Sequence, residues 1–363
     1  MIASEYLPVP DVDAPAPTPM PVAIPLGGLA RHRITDPDEL LKCRYLCRGG
    51  ILLLCGPSGI GKSALSMQAQ ILWAKGRKAY GIEPARPLKS LLIQAENDNG
   101  DIAEMRDGVI AGLELTPSEA KQACENVLIV REDTRTGQRL CVEVLRPLLE
   151  AHKPDLLWLD PALAYLGGDN NSQQDVGGFL RNGIIPLLRE FNCAAVIIHH
   201  TNKPPSGKEK PNWTAGDFAY LGAGSAEWAN TPRAVLALRS IGSREIFELQ
   251  AGKRGGRLGW TNPDGTKSFA RYLSHSKEPG VICWCEADPE DIAPAGRPKS
   301  FDVEEMLGLL PPEGLSAGEW QKVAKGELGI SEASFHRDRR ALQKDGRILR
   351  SKVSGKWQPV RKA

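Results

Sequence analysis

Gly56-Pro57-Ser58-Gly59-Ile60-Gly61-Lys62-Ser63 has the spacing Gly-x-x-x-x-Gly-Lys-Ser, and the chemistry of that spacing is polyphosphate binding. The glycines let backbone N–H groups approach phosphate oxygens, and a helix starting there adds its positive dipole end. Lys62 is placed to reach the β- and γ-phosphates of a nucleotide such as ATP, and Ser63 to ligate Mg²⁺. The cradle comprises Gly56, Pro57, Ser58, Gly59, Ile60, Gly61, Lys62, Ser63 and Ala64. Three other apolar runs end in polar groups suited to the same chemistry. Pro154-Asp155-Leu156-Leu157-Trp158-Leu159-Asp160 ends in a carboxylate that can hold Mg²⁺ through water. Ser90-Leu91-Leu92-Ile93-Gln94-Ala95-Glu96 ends in a candidate base for an attacking water. Asn97 and Asp98 follow in the same loop and are less well placed. Ala194–Ile198 leads into His199-His200-Thr201-Asn202-Lys203, where His200 can sense a γ-phosphate; reading it as a metal ligand would need a third partner.

The elements around these residues must hold them at one edge of a sheet. Gly50–Cys55 is a short apolar run with the length of a buried strand, and Ala64–Lys75 is free of Gly and Pro until Gly76 stops it. Further strands are expected at Ser90–Ala95, Val127–Val130, Asp155–Asp160, Cys193–His199, Ala234–Arg239, Glu245–Gln250 and Val281–Cys285. Helices are expected at Ser63–Lys75, Ile102–Leu113, Val142–His152 and Val176–Phe191. Strands alternating with helices make an α/β fold with a mostly parallel central sheet. The later strands follow one another closely and read as antiparallel hairpins, with Pro263-Asp264-Gly265 as one turn.

The flanks differ in composition. Residues 1–27 form a Pro-rich arm with Pro8, Pro10, Pro15, Pro17, Pro19, Pro21 and Pro25; it is either a floppy tail or a strap on a neighbouring subunit. Residues 28–286 hold the sheet, and 287–300 read as a Pro/Ala/Gly linker. Residues 301–363 read as three helices and a hairpin: Val303–Leu310, Ser316–Lys325 behind a Ser316/Glu319 capping box, Ser331–Gln343, then Arg347–Arg350 and Lys356–Val360. That order is the order of a winged helix. From His336 onward ten Lys/Arg stand against Asp338 and Asp345, which fits either a polyanion partner or a solvated basic face. Arg337, Arg339, Arg340 and Lys344 on the third helix and Lys352 on the wing are the candidate contacts to duplex DNA, with docking to a replication protein as the other use of this unit.

The net charge of +2 over 363 residues selects no partner. The eight cysteines are scattered, and Cys283-Trp284-Cys285 has no second pair at zinc spacing. No charged-then-apolar leader and no long apolar span are present, so the expectation is a cytoplasmic protein without a membrane partner.

Taken together, the phosphate loop, Glu96, Asp160 and the His199–Lys203 cluster resemble the RecA-like ATPases. The nearest resemblance is to the hexameric replicative helicases of the plasmid RepA type and their phage and prophage relatives. The segment Gly222-Ala223-Gly224-Ser225-Ala226-Glu227-Trp228-Ala229-Asn230-Thr231-Pro232-Arg233-Ala234-Val235 is similar to that family's Gly-Ser…Asn…Arg-Ala-Val segment. The likeness covers about residues 27–285. It implies ATP and Mg²⁺ as cofactors, a homo-oligomer of hexameric kind, and single-stranded DNA in the ring channel. It further implies that Lys62 and Ser63 bind phosphate and Mg²⁺, Glu96 activates water, Asp160 supports Mg²⁺, and His200 is the sensor. An arginine finger is implied from the neighbouring subunit. Arg233 matches its position best, and Arg254 and Arg257 lie near where related hexamers place a Lys-x-Arg pair, at a different spacing. The channel loops correspond to Gly167–Gln174 and Lys203–Lys210; the latter carries Lys203, Lys208 and Lys210. Trp213, Phe218 and Tyr220 follow either as base-stacking residues or as core anchors. Other readings of the same motifs are a RecA-like ATPase that mediates recombination or loads a partner, a signalling ring, and a nucleotide-gated DNA-binding regulator.

Overall fold

The computed structural model describes residues 23–29, 36–201, 215–241, 246–262, 264–288, 303–351 and 354–360. Most of the Pro-rich arm and of the 287–300 linker lie outside the described residues, as do Lys203, Lys208, Lys210, Trp213 and Lys352. The described residues fall into two compact units. The first runs to Arg239 and resumes at Phe247–Ala287; the second takes Ser240, Ile241, Ile246 and the chain from Asp288.

The first unit begins with a small antiparallel hairpin, β1 (Glu39–Leu41) and β2 (Leu46–Cys47). Its main sheet contains β3 (Ile51–Gly56), β4 (Ser90–Gln94), β5 (Val127–Arg131), β6 (Leu156–Asp160), β7 (Ala194–His200), β8 (Ala234–Ile241), β9 (Ile246–Lys253), β10 (Ala270–His275) and β11 (Trp284–Glu286). Their spatial order is β11-β10-β9-β8-β3-β7-β6-β4-β5. The six strands from β8 to β5 are parallel, and β10–β11 is antiparallel. This is an α/β fold with a mostly parallel central sheet.

All six residues of β3 are buried, as a central strand covered on both faces requires. The period of two divides them. Leu52 and Leu54 join the core that holds Leu65, Leu72 and Trp73 of helix α1 (Lys62–Ala74). Ile51, Leu53 and Cys55 join the opposite core, with Leu145, Leu180 and Leu188. Helices α2 (Asn99–Gly112) and α3 (Pro117–Glu125) complete the α1 layer; Asp98 caps α2 and Thr116 caps α3, each through a capping box.

The other layer departs from expectation. The two long helices expected at 142–152 and 176–191 are each interrupted by a π turn. One runs α4 (Gly137–Arg139), π Leu140–Leu145, α5 (Arg146–His152); the other runs α6 (Gln173–Gly177), π Gly178–Ile184, α7 (Ile185–Glu190). In both, a proline (Pro147, Pro186) sits at the start of the resumed α-helix. Proline offers no N–H and clashes with the carbonyl four residues back, and the widened turn before it relieves that conflict. Strands β1, β2 and β10 and helix α3 were also absent from the expected elements. Two short helices follow β7: α8 (Ala215–Ala219) and α9 (Glu227–Asn230).

The second unit consists of α10 (Val303–Gly308), α11 (Ala317–Leu328), α12 (Glu332–Lys344) and the antiparallel pair β12 (Ile348–Arg350) and β13 (Trp357–Pro359). Ser316 and Glu319 form the expected capping box, and Ser331 caps α12. Met306, Leu310, Trp320, Ala324, Ile330, Phe335, Leu342, Ile348 and Trp357 form its own core. Trp320 donates its indole N–H to the Met306 carbonyl at 3.0 Å, and Arg347 grips Glu304 with two bonds of 2.6 and 2.7 Å.

Candidate active site

The parallel sheet brings the ends of β3, β4, β6 and β7 to one edge, and the polar residues singled out above meet there. The loop between β3 and α1 has glycine wherever a side chain would be costly. A Cβ on Gly56 would lie 2.8 Å from the Leu238 carbonyl oxygen. Gly59 and Gly61 hold φ of +73° and +93°, in the left-handed region. A Cβ on Gly61 would also lie 2.8 Å from Cζ2 of Trp284. Helix α1 has no side-chain cap at its N-terminus, which leaves its first N–H groups for a ligand. A polyphosphate therefore fits the chain's own backbone at this point.

Lys62 is 5% exposed. Its Nζ donates to the carbonyls of Gly56 (2.9 Å) and Pro57 (2.7 Å) and stands 3.2 Å from Nδ1 of His200. Burial pulls its pKa down, while Asp160, Cys55 and Glu96 push it back up. Ser63 Oγ donates to Asp160 Oδ2 at 2.8 Å, and Gln94 Nε2 donates to the same oxygen at 3.3 Å. Burial raises the Asp160 carboxyl above the ordinary carboxylate range against those two hydrogen bonds. A hydroxyl and a carboxylate in direct contact at the loop form the donor pair that Mg²⁺ would share, and a cation there would favour the ionised carboxylate. The Asp160–Pro161 peptide is cis.

Glu96 lies two residues beyond β4, whose Gln94 is in register with Asp160 of β6. Its side chain is 60% exposed, and Oε1 is 3.9 Å from Nε2 of His200. The two imidazole nitrogens of His200 thus face Lys62 on one side and Glu96 on the other. Burial and the Lys62 charge lower the His200 pKa, so a neutral ring is the resting form at neutral pH. Strand β7 can do this because it lies between β3 and β6, with Gly56 and His200 in register. Asp98, the alternative acid, is committed to capping α2. Among the described residues there is no cluster of three or more His, Cys, Asp or Glu of the kind that a metal-ligand role for His200 would need.

The neighbouring His199 is fully buried. Its Nε2 contacts the Ala223 carbonyl at 2.7 Å and its ring stacks on Trp228. Burial lowers its pKa to about 4. Asn170 joins the same group: its Nδ2 donates to the Ala223 carbonyl (3.0 Å) and its backbone carbonyl accepts from Ser225 N–H (2.8 Å). Gly224, at φ +94°, passes so close to Asn170 that a Cβ would lie 2.4 Å away.

Arg233, Arg254 and Arg257 are not at this edge. Arg233 N–H donates to the carbonyl of Ile51, the first residue of β3, at 2.9 Å. With ~3.3 Å per residue along the strand, that is roughly 17 Å from Gly56. Arg233 is exposed, and among the described residues no carboxylate pairs with it. It lines a cleft of about 530 Å³ together with Arg181, Arg189, Lys253 and Arg254. Arg254 and Arg257 donate to the Arg44 and Cys43 carbonyls at 3.0 and 3.1 Å. Lys253, which sequence reasoning did not single out, has its ammonium on the carbonyls of Ala229 (2.9 Å), Asn230 (3.1 Å) and Pro232 (2.7 Å). Those bonds use all three of its donors and hold the turn that delivers Arg233.

The aromatic residues after β7 divide. Phe218 is a core anchor, 4% exposed with Arg239 over its ring at 4.7 Å. Tyr220 is exposed, its hydroxyl donating to Asn230 Oδ1 at 2.9 Å. In the second unit, Arg337, Arg340 and Lys344 are exposed and follow the 3/4 spacing of one helical face of α12. Arg337 also contacts Asp338 at 3.1 Å. Arg339 faces inward, with its guanidinium over the Trp357 ring at 4.9 Å and a buried Nε. Its position four residues after the core Phe335 is the helical-phase signal that separates it from the other three.

A family model described as AAA domain (AAA_25) matches residues 16–206, more than half of the chain. The chain belongs to this family. Its AAA_25 domain carries the complete loop, Glu96, Asp160 and His200, and is an NTPase domain by membership and by these residues. Among solved structures the chain is similar to the RadB recombinase, with 12% identity over 63% of this chain and 88% of that one and a TM-score of 0.38. It is also similar to a second solved ATPase domain, with 11% identity over 65% of this chain and 85% of that one and a TM-score of 0.43. No curated protein matches. No helix among the described residues is long and apolar enough to cross a membrane.

Proposed function

We propose that the protein is an ATP-driven, ring-forming DNA helicase or translocase of the plasmid RepA type, serving the replication of a mobile element. ATP with Mg²⁺ is the fuel, held by Gly56–Ala64, Ser63 and Asp160. Bound Mg²⁺ would neutralise charge on the terminal phosphates. Glu96 orients and deprotonates the attacking water, and His200 reports the γ-phosphate along β7.

The observation that carries the ring is the separation of charges along β3. The loop that takes the phosphates is at one end, and the exposed Arg233 and the half-buried Arg254 are at the other. Unpaired like charges gathered in one cleft repel, and burial and mutual repulsion already lower the Arg254 and Lys253 pKa values. An anion brought by a second copy relieves that repulsion, and the γ-phosphate of a neighbour's nucleotide is such an anion. A hexamer closes these head-to-tail contacts.

The C-terminal unit is read as a winged helix that engages duplex DNA, or a replication protein, through Arg337, Arg340 and Lys344 of α12. Salt-sensitive, sequence-tolerant binding is the expected character of such contacts. Lys203, Lys208 and Lys210 are assigned to single-stranded DNA in the channel on the family resemblance alone.

The test is unwinding of a DNA fork with ATP and Mg²⁺, wild type beside Lys62→Ala. Unwinding by wild type alone supports the helicase. ATPase stimulated by single-stranded DNA without unwinding replaces it with a recombination-type or loader role. Neither activity replaces it with a nucleotide-gated regulator.

A further inference from the structure

The groups that act on the terminal phosphate all lie to one side of the loop. His200 and Asp160 end β7 and β6, and Glu96 follows β4; these strands succeed one another on one flank of β3. A nucleotide whose β-phosphate rests in Gly59–Ser63 and whose γ-phosphate points at those groups must direct its nucleoside to the other flank. That flank is built by β8, β9, β10 and β11.

There the loop meets an aromatic wall. His275, the last residue of β10, pairs in register with Trp284, the first of β11. Their rings lie 4.0 Å apart, and Phe247 braces both edge-on, at 4.8 Å from His275 and 4.9 Å from Trp284. A Cβ on Gly61 would lie 3.3 Å from Cε1 of His275, so the imidazole borders the phosphate loop itself. Trp284 is 3% exposed and Phe247 7%, whereas His275 is exposed. Only the histidine among the three offers ring surface to a ligand.

The wall is fixed to the helix that follows the loop. Gln68 of α1 donates from Nε2 to the Trp284 carbonyl at 2.8 Å, and its Oε1 accepts from Trp284 N–H at 2.8 Å. This side-chain amide grips the backbone of β11 as a neighbouring strand would, so His275 is held relative to the phosphate loop before any ligand arrives. Burial also lowers the His275 pKa, which keeps the ring neutral at neutral pH.

We propose that His275 is the base-binding residue of the nucleotide site, a stacking shelf for the purine ring of a nucleoside triphosphate, backed by Trp284 and Phe247. The proposal rests on the phosphate-loop reading of Gly56–Ala64 and adds the part of the ligand that the loop does not touch. A stacked base is held by its flat face, which every purine has.

The experiment compares ATP with inorganic tripolyphosphate, which carries three phosphates and no base, by calorimetric titration of the full chain with Mg²⁺. Wild type, His275→Ala and His275→Phe are measured, with steady-state ATPase alongside. Stacking on one aromatic side chain corresponds to a loss of roughly fivefold to a hundredfold on truncation to alanine. The expected result is that His275→Ala weakens ATP binding and raises KM by such a factor with kcat unchanged. Tripolyphosphate binding stays as in wild type, and His275→Phe recovers most of the ATP affinity. Equal weakening of ATP and tripolyphosphate would mean that His275 only shapes the loop, and unchanged ATP binding in His275→Ala would mean that the base lies elsewhere; either overturns the proposal. If wild type binds neither ligand, the phosphate-loop reading fails and the proposal with it.

Discussion

Trp228 donates its indole N–H to Oδ1 of Asn170 at 2.7 Å while its ring stacks on His199, centroids 4.4 Å apart. Asn170 belongs to the loop that follows β6, and His199 precedes the residue that touches Lys62. One side chain therefore ties the loop beyond β6 to the strand that contacts Lys62. Trp228→Phe keeps the stack and removes the donor, leaving a half-buried amide oxygen without its partner. The expected loss is about 1–3 kcal/mol in denaturant unfolding, with faster amide exchange in residues 169–175. Unchanged stability with unchanged exchange would show that the bond holds nothing.

The two loop glycines with positive φ should respond differently to alanine. At Gly59 nothing lies within 4 Å of an added Cβ, so only the backbone is strained, by roughly 1–2 kcal/mol. At Gly61 the same strain is joined by Trp284 at 2.8 Å, an atom of a buried ring that cannot swing away. Gly61→Ala should therefore abolish ATP binding and lower the melting temperature, while Gly59→Ala folds near normally. Thermal melts with and without ATP check this, and equal behaviour of the two variants would count against the Trp284 contact.

Two buried groups set separate pH windows. Burial alone would raise the Glu132 pKa, but bonds from Thr134 and Arg135 outweigh it and hold the group at about 2. Its folded value lies below its unfolded one, so its contribution is complete above the ordinary carboxylate range and is lost as pH falls toward 2. Glu132→Gln should cost on the order of 2 kcal/mol at neutral pH and nothing near pH 2. His199 is lowered from 6.5 to about 4. Between those values the unfolded chain binds the extra proton, so stability falls as pH drops from 6.5 to 4. His199→Gln should flatten that slope and leave the Glu132 window in place. Urea titrations from pH 2 to 8 separate the two; a slope unchanged in His199→Gln would mean that His199 is not buried neutral.

What could be read from the sequence was local. Gly56–Ser63, Asp160 and His200 are each marked by residues adjacent in the chain, and the sheet aligns them because each ends a buried strand. The hairpin and capping box of the second unit were legible for the same reason. The π turns were not, since Pro147 and Pro186 mark a break without saying how the preceding turn adjusts. Trp284 invites a metal reading through its flanking cysteines, but its role is to fill the space beside Gly61, more than two hundred residues earlier. Composition groups Arg339 with Arg337 and Arg340, although its helical phase puts it on the Phe335 side. Lys253 carries no motif at all, and its use of three donors on the Arg233 turn depends on where two distant segments end.

The position of Arg233 at the far end of β3 from Lys62 yields a test that needs two chains. On the proposed reading, Glu96→Gln removes the base from a chain's own loop, and Arg233→Ala removes the cation offered to a neighbour. Each variant alone should hydrolyse ATP at a small fraction of the wild-type rate, since a trans arginine contributes about 10³–10⁵ in rate. Mixed, an Arg233→Ala chain supplies an intact Glu96 and an adjoining Glu96→Gln chain an intact Arg233. At equal mixing about a quarter of head-to-tail interfaces carry both, which sets the recoverable activity. Lys253→Met should weaken the recovery when placed on the chain that supplies Arg233 and not when placed on the other, because its ammonium fixes only its own chain's turn. Failure to recover at any mixing ratio, with oligomers shown by light scattering, would return Arg233 to the status of a surface cation whose loss is nearly silent.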